Sequence, residues 1–371
     1  MNKTAIVITT INVPKILEDI GENVKRYKHE KDVSILIIGD KKTPLEIKDY
    51  CKKRAEEYNL EIEYLGIEDQ EKIFADKQEL LKLFPYNTPD RVILGCMLSY
   101  LRGCDRVIAD DDDNFPTEHD FIGFHSITGE EKEINLIRNG LGWFNVHNAL
   151  IDENNIPFYP RGYPWSKRLP ESKKKDFVKE KRKVMVNQGL VLEDPDIDAI
   201  SRLFWPIRAI KMNEEFGNQF GLYPGIWSPF NFQNTCLARE MIPLYYRPIS
   251  TRRNADIWTA YVFNKLAEYF GDVITFGQPL VRQLRNKHDL WEDLETELIN
   301  NRATDTFITL LRNIKLSKKT YFEALGELIS ESQKELKRTA SVRTPETDMI
   351  ENFFIEYANW YNIVSKYVDN Q

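Results

Sequence analysis

Residues Val33–Ile38 read VSILII, an apolar run without the regular polar alternation of a half-solvated strand. Such a run suits a parallel strand covered on both faces. It sits inside a longer alternation. Ala5–Thr10 is rich in β-formers. Pro14–Tyr27 has an early proline and apolar Ile16, Leu17, Ile20 and Val24, which predicts a helix. Pro44–Tyr58 predicts a second helix and Ile62–Leu65 a strand. Asp90–Leu101 predicts a helix and Arg106–Ala109 a further strand. Strands and helices that alternate over short connections predict a parallel α/β sheet with right-handed crossovers. Ligands of such sheets lie beyond the carboxyl ends of the strands. Three segments fall there: Thr9-Thr10-Ile11-Asn12, Gly39-Asp40-Lys41-Lys42, and Asp110 to Asp113.

The rest of the chain is bounded by simple counts. Its 371 residues allow two domains, or one large domain with an appendage. Apolar residues at 42% and charged residues at 29% are ordinary for a globular protein and argue against disorder. The net charge of −7 disfavours binding of a nucleic-acid polymer, which needs a basic footprint. The four cysteines, Cys51, Cys96, Cys104 and Cys236, form no CxxC pair and no disulfide framework, which fits a reducing compartment. No apolar run reaches the ~18 residues of a membrane span. Ala5–Ile11 is short, broken by threonines and followed by charges, so it reads as a first strand rather than a signal peptide. Residues 115–290 are less regular and suit long loops on a mixed continuation of the sheet. Residues 304–368 read as helices. Ile350, Phe353, Phe354, Tyr357, Trp360, Tyr361, Val364 and Val368 keep helical spacing, as expected of a helix closing over the core.

The chemistry concentrates in Ile108-Ala109-Asp110-Asp111-Asp112-Asp113-Asn114. Four adjacent carboxylates repel one another unless solvated or offset by a cation. Their hard oxygens suit Mg²⁺, Mn²⁺ or Ca²⁺. An EF-hand loop fails, because its glycine position would be Phe115 or Pro116 and its glutamate Phe121 or Ile122. What remains is a metal bridging carboxylates to a diphosphate. A DxD directly after a buried strand is how GT-A nucleotide-sugar transferases hold their leaving group. Neither a P-loop nor GxGxxG occurs, so kinase, ATPase and dinucleotide readings lose their main supports. HExxH and GxSxG are also missing.

The segments VITTINVP, IIGDKKTP, FPYNTPDR, ADDDDNFP, YPRGYPW, NQGLVLEDPDIDAISRL, FNFQNT, NADIW and VRQLRNKHDL occur in this order. Together they resemble the STELLO-type glycosyltransferases. More distantly they resemble the reversibly glycosylated polypeptides, which include plant UDP-arabinopyranose mutases. The resemblance covers roughly residues 4–295 and does not extend to the transmembrane anchor of the plant STELLO proteins. It implies an α/β GT-A fold: a Rossmann-like mixed sheet of the nucleotide-diphospho-sugar transferases with a C-terminal helical extension. It also implies a transferase domain over 1–295, with a nucleotide-binding half at 1–115 and an acceptor and sugar half at 116–295, followed by helices over 296–371.

Carried over by position, the resemblance implies that Thr9, Thr10 and Asn12 line a nucleotide pocket. Asp40 and Lys41 would touch base or ribose, with Asn87 and Arg91 beside them. Asp111 and Asp112 would reach the donor, and Asp111 and Asp113 would hold Mn²⁺ or Mg²⁺. The extra Asp110 leaves that register open by one residue. His288 is a further candidate metal ligand, and Arg285 or Lys287 would neutralise phosphate. Arg161 stands where the mutase relatives carry a reversibly glycosylated arginine. Gly162 and Pro164 would present it on a tight turn. A protonated guanidinium is a poor nucleophile, so contact with diphosphate or sugar is the plainer expectation.

Asp194, Asp196 and Asp198 alternate, and extended backbone would place all three on one side. Asp256 is expected as base or charge stabiliser and Asp198 as a sugar- or acceptor-binding residue. Trp227, Trp258, Phe230 and Phe232 offer either a stacking face for sugar or core packing. Lys167–Lys183 holds nine Lys/Arg against three acids. It reads as a solvated loop, or as a lid for an anionic acceptor or membrane surface.

The function expected is a metal-dependent glycosyltransferase of surface glycan synthesis. It would use a nucleotide-diphosphate sugar, UDP before GDP or CDP, and a glycan or lipid-linked acceptor. The expected location is cytoplasmic, with membrane-surface association at the inner face and homo-oligomerisation through the C-terminal helices as further options. The alternatives are a nucleotide-sugar pyranose–furanose mutase and a non-catalytic partner subunit.

Overall fold

The computed structural model describes residues 4–168, 176–285, 289–339 and 343–368. Strand and helix alternate first: β1 (Thr4–Thr10), α1 (Ile16–Tyr27), β2 (Val33–Gly39), α2 (Ile47–Tyr58), β3 (Glu61–Leu65), α3 (Ile67–Ile73), α4 (Gln78–Lys82), α5 (Val92–Leu101) and β4 (Arg106–Asp111). There follow β5 (Asn114–Pro116), α6 (Phe121–His125), β6 (Glu131–Arg138), β7 (Leu150–Asp152), β8 (Asp176–Glu193), α7 (Ala199–Phe204), β9 (Ala209–Met212), β10 (Gln219–Leu222) and β11 (Thr235–Ala238). The chain closes with α8 (Ala255–Phe270), β12 (Val273–Gln283), α9 (Leu290–Asn313), α10 (Tyr321–Thr339) and α11 (Pro345–Val364).

β3, β2, β1 and β4 pair in that order, all parallel. This is the sheet that the apolar runs and helical spacing predict. α1 buries Ile16, Leu17, Ile20 and Val24 on one stripe and ends at left-handed Lys28. α5 is buried from Val92 to Tyr100 and presses directly on the sheet. A Cβ at Gly95 would stand 2.4 Å from Val7 Cγ1 and 2.9 Å from Ile38 Cγ1, so only glycine fits there.

Beyond β4 the sheet turns antiparallel through β11 and reaches the eighteen-residue β8. The first half of β8 pairs antiparallel with β6, and its second half runs parallel to β12. β10 joins β6 to β12, so these four strands share a closed circuit of pairings. β5 pairs with the end of β12 and ties the acidic turn to that strand.

The basic stretch is not a loop over its described part. Residues 176–183 form strand, and their lysines meet acids of neighbouring segments: Lys179–Glu133 at 2.5 Å, Lys181–Glu131 at 2.6 Å and Lys183–Glu240 at 2.5 Å. Period-2 alternation of Val178, Glu180 and Arg182 against Lys179, Lys181 and Lys183 puts the lysines on one face. Residues 169–175 lie outside the described part.

The C-terminal helices share the main core. Trp258 of α8 stacks on Phe307 of α9 with ring centroids 4.2 Å apart. Trp360 of α11 stacks on Tyr246 at 5.2 Å and donates Nε1–H to the Pro243 carbonyl at 2.9 Å. Each such buried aromatic contributes roughly 1.5–3 kcal/mol from area alone. Ile350, Phe353, Phe354, Tyr357, Trp360 and Val364 are all buried, so the helical stripe faces the core. Pro345 at the first helical position and the Thr344 hydroxyl accepting Thr347 N–H start α11. The expected boundary at 295/296 falls inside α9. The four cysteines are buried and free. Among the described residues no helix is long and apolar enough to cross a membrane.

Candidate active site

The four aspartates at the end of β4 and just beyond it point in different directions. Asp110 is buried, and its Oδ1 accepts from Asn114 Nδ2 at 2.8 Å, from Asp111 N–H at 3.1 Å and from Asn234 N–H at 3.1 Å. Its Oδ2 has no hydrogen-bond partner among the described residues. Burial pushes this carboxyl well above the ordinary carboxylate range. Asp112 accepts from Thr10 Oγ1 on β1. Asp111 and Asp113 occupy the ridge between two adjoining cavities and line both.

The smaller cavity, about 280 Å³, lies at the carboxyl ends of β1 and β2. Thr9, Thr10, Asn12, Asp40, Asn87 and Arg91 line it. Asp40 Oδ2 accepts from Asn87 N–H at 2.5 Å, which holds Asn87 in its left-handed conformation at φ 59°. Arg91 is buried, donates to the Phe84 carbonyl at 2.9 Å and to Gln70 Oε1, and lies 4.8 Å from the Tyr86 ring centroid. Lys41 is outside this lining. Its Nζ stands 3.8 Å from the same ring.

The larger cavity, about 510 Å³, is walled by ion pairs. Arg161 sits between two carboxylates. Its Nε donates to Asp196 Oδ1 at 2.9 Å, and its NH1 and NH2 donate to Asp256 Oδ1 and Oδ2 at 3.2 and 3.0 Å. NH1 also donates to the Arg253 carbonyl. Gly162, at φ 70°, turns the chain behind it, and its carbonyl accepts from Tyr261 Oη at 2.7 Å. Burial alone would lower the Arg161 pKa. Asp196 and Asp256 reverse that and hold the guanidinium protonated more firmly than usual. Arg161 is therefore an ion-pair hub. A nucleophile would need a free, deprotonated nitrogen, which this packing denies.

Asp256 lines the cavity, although both of its oxygens already serve Arg161. Asp198 does not reach either cavity. The chain turns into α7 immediately after it, so the extended alternation breaks. Its Oδ1 caps Ser201 N–H at 2.8 Å and its Oδ2 pairs with Arg168 at 2.6 Å. Asp196, named in sequence as one of the alternating trio but given no role of its own, is the member of that trio on the cavity wall. Asp194 pairs with Arg202 and, at 2.7 Å, with Arg285, which also lines the cavity. His288 and Lys287 lie outside the described residues. Trp227 and Trp258 are core. Phe232 lines the larger cavity and stacks on Tyr245 at 3.9 Å.

Sequence reasoning also missed an amide relay. Gln233 Nε2 donates to Asp111 Oδ2 at 2.7 Å, Asn231 Nδ2 donates to Gln233 Oε1 at 2.6 Å and to Asp196 Oδ2 at 3.1 Å, and Gln188 Nε2 supports Asn231 Oδ1 at 2.6 Å. The relay joins Asp111 to the Arg161 hub. Its signal was the density of amides in NQG and NFQN. Arg247, half-buried and paired with Asp90 at 3.1 Å, carried no such signal.

The residues fit a hard divalent cation. Burial, and then the charge of Asp113, push Asp111 up to about 6, against the pull of Gln233. A carboxylate whose proton affinity a neighbouring carboxylate raises is relieved by a cation. Among the described residues no group of three His, Cys, Asp or Glu converges to cage a metal. Asp111 and Asp113 would thus supply two oxygens, leaving the others to water and a bound phosphate, as suits Mg²⁺ or Mn²⁺.

No protein-family model and no curated protein matches the chain. Solved structures are similar in outline. A mycobacterial protein shares 10% identity over 83% of this chain and 74% of its own, with a TM-score of 0.42. Glucosyl-3-phosphoglycerate synthase from Mycobacterium tuberculosis, solved with Mn²⁺ and uridine-diphosphate-glucose, shares 9% over 85% and 81%, with a TM-score of 0.38. A mannosyltransferase from Pyrobaculum calidifontis, solved with GDP-Man and Mn²⁺, shares 9% over 100% and 88%, also at 0.38.

Proposed function

We propose that the chain is a metal-dependent glycosyltransferase with a GT-A-type fold that uses a nucleotide-diphosphate sugar. The observation that carries this is the placement of Asp111 and Asp113 on the ridge between two adjoining cavities, both of which they line. A donor laid across that ridge puts its nucleoside in the smaller cavity, its diphosphate over the carboxylates and its sugar in the larger one. Thr9, Thr10, Asn12, Asp40, Asn87 and Arg91 then face the nucleoside. UDP is the preferred nucleotide in this reading, and a glycan or lipid-linked hydroxyl is the acceptor in surface glycan synthesis. A bound Mn²⁺ or Mg²⁺ would supply Lewis-acid stabilisation of the leaving diphosphate. The chain's own part is to orient Asp111 through Gln233 and to set the Asp256 and Asp196 carboxylates beside the sugar. There, positive charge develops as the glycosidic bond weakens.

Isothermal titration with UDP, GDP and CDP, with and without Mn²⁺, tests the reading. Metal-dependent binding that Asp113→Ala abolishes, with circular dichroism unchanged, is the expected result. Failure of every nucleotide to bind, or undiminished binding by the variant, refutes it. The mutase alternative is separated by product analysis without acceptor, since only a mutase then yields a ring-isomerised nucleotide sugar.

A further inference from the structure

Five arginines line the larger cavity: Arg161, Arg247, Arg252, Arg253 and Arg285. Four are neutralised by carboxylates. Arg161 lies between Asp196 and Asp256, Arg247 meets Asp90, Arg253 meets Asp293 and Glu297, and Arg285 meets Asp194. Arg252 is the exception. It is exposed, it lines the cavity, and no carboxylate among the described residues pairs with it.

Its backbone is also unusual. Arg252 has φ 45° and ψ −124°, a conformation that L-residues rarely adopt. The flanking chain enforces it from both sides. Glu356 of α11 accepts Ile249 N–H at 2.5 Å and Ser250 N–H at 3.1 Å. Asn300 of α9 donates to the Thr251 carbonyl at 3.0 Å. Arg253 is tied by its side chain to α9 and by its carbonyl to Arg161. α9 and α11 thus hold a strained turn whose central residue carries a guanidinium with no carboxylate partner at the cavity wall. Strain maintained at a cavity wall is a recurrent mark of function.

We propose that Arg252 is the anion-binding residue of the larger cavity, taking phosphate-type oxygens of a bound substrate. The fork of a guanidinium matches such oxygens, and Arg285, which with Lys287 is a sequence-based candidate for this role, is already committed to Asp194. The proposal deepens the transferase reading and rests on it for the identity of the substrate. The anion is either the donor's diphosphate or an acidic group of the acceptor.

The test compares wild type with Arg252→Ala, Arg252→Lys and Arg252→Gly, all as the full chain. Pyrophosphate with Mn²⁺ is titrated calorimetrically as the donor probe. Inorganic phosphate, with Mn²⁺ and UDP present, is the acceptor probe. Losing a charge-assisted pair should weaken the relevant probe about tenfold or more, with Lys intermediate. A loss confined to pyrophosphate assigns the donor, and a loss confined to phosphate assigns an anionic acceptor. Arg252→Gly removes the backbone penalty, so its thermal midpoint should rise by roughly 1–3 °C while binding falls. That combination excludes a merely structural role. Unchanged affinity for both probes in all variants, or no binding of either probe to wild type, overturns the proposal. If pyrophosphate binding depends on Arg252 while UDP, GDP and CDP do not bind, the nucleotide reading fails and this one stands.

Discussion

Replacing Arg161 by methionine isolates what the buried ion-pair hub contributes. Methionine keeps much of the volume and removes the charge. Asp196 and Asp256, whose side chains are 10% and 8% exposed, then lose their shared cation. Breaking a buried pair by removing one partner typically costs about 3–5 kcal/mol. Unfolding entropy is roughly 2.1 cal/mol/K per residue, so for 371 residues a loss of 4 kcal/mol lowers the thermal midpoint by about 5 °C. The pH dependence is more diagnostic. In wild type, burial would raise the Asp196 carboxyl, but the charge and hydrogen bonds of Arg161 hold it well below the ordinary carboxylate range. Its stabilisation is present above the unfolded value near ~3.9 and is lost as pH falls through the lower folded value. In the variant, burial, the largest influence on this carboxyl, is opposed only by the Asn231 hydrogen bond and the weaker pull of Arg285 and Arg253, and the folded value is expected above the unfolded one. That group then destabilises increasingly as pH rises from about 4. Urea unfolding should therefore show a gap between the two proteins that widens from pH ~5 to pH ~8. Adding Asp196→Asn and Asp256→Asn should recover much of it. A gap under about 1 kcal/mol, or one of equal size at both pH values, would refute the assignment of Arg161 as hub.

Two other perturbations probe the ridge and the sheet. Gln233→Ala frees Asp111 from its 2.7 Å hydrogen bond and should weaken Mn²⁺ affinity about tenfold, measured by calorimetry, with folding retained. In wild type the thermal shift induced by Mn²⁺ should be full near pH ~7.5 and fade below about 6, because protonated Asp111 cannot ligate. A shift independent of pH counts against Asp111 as a ligand. Gly95→Val forces side-chain atoms into Val7 and Ile38 and should cost about 1–3 kcal/mol or more by urea unfolding. An unchanged midpoint would mean that α5 does not press on β1 and β2 as described.

The first half of the fold was legible because its causes are local. A covered strand needs a continuous apolar run, and a helix on its face needs apolar residues every three to four positions; both are written in residues 5–109. The rule that ligands collect at the carboxyl ends of parallel strands then located Asp110–Asp113, Asp40 and Thr9–Asn12 without any further fold information. Other choices depended on partners far along the chain. Asp198 and Asp196 look alike in sequence. One caps α7, and the other meets Arg161 thirty-five residues upstream. Lys179, Lys181 and Lys183 read as a solvated loop until β6 and Glu240 place acids against them. The C-terminal helices read as an extension, yet Glu356 and Asn300 shape the turn that carries Arg252. Local periodicity determined where the acidic turn lies in the sheet. Which charges meet across the site was decided only by tertiary packing, because a buried charge is tolerated only where a distant segment supplies its counter-charge.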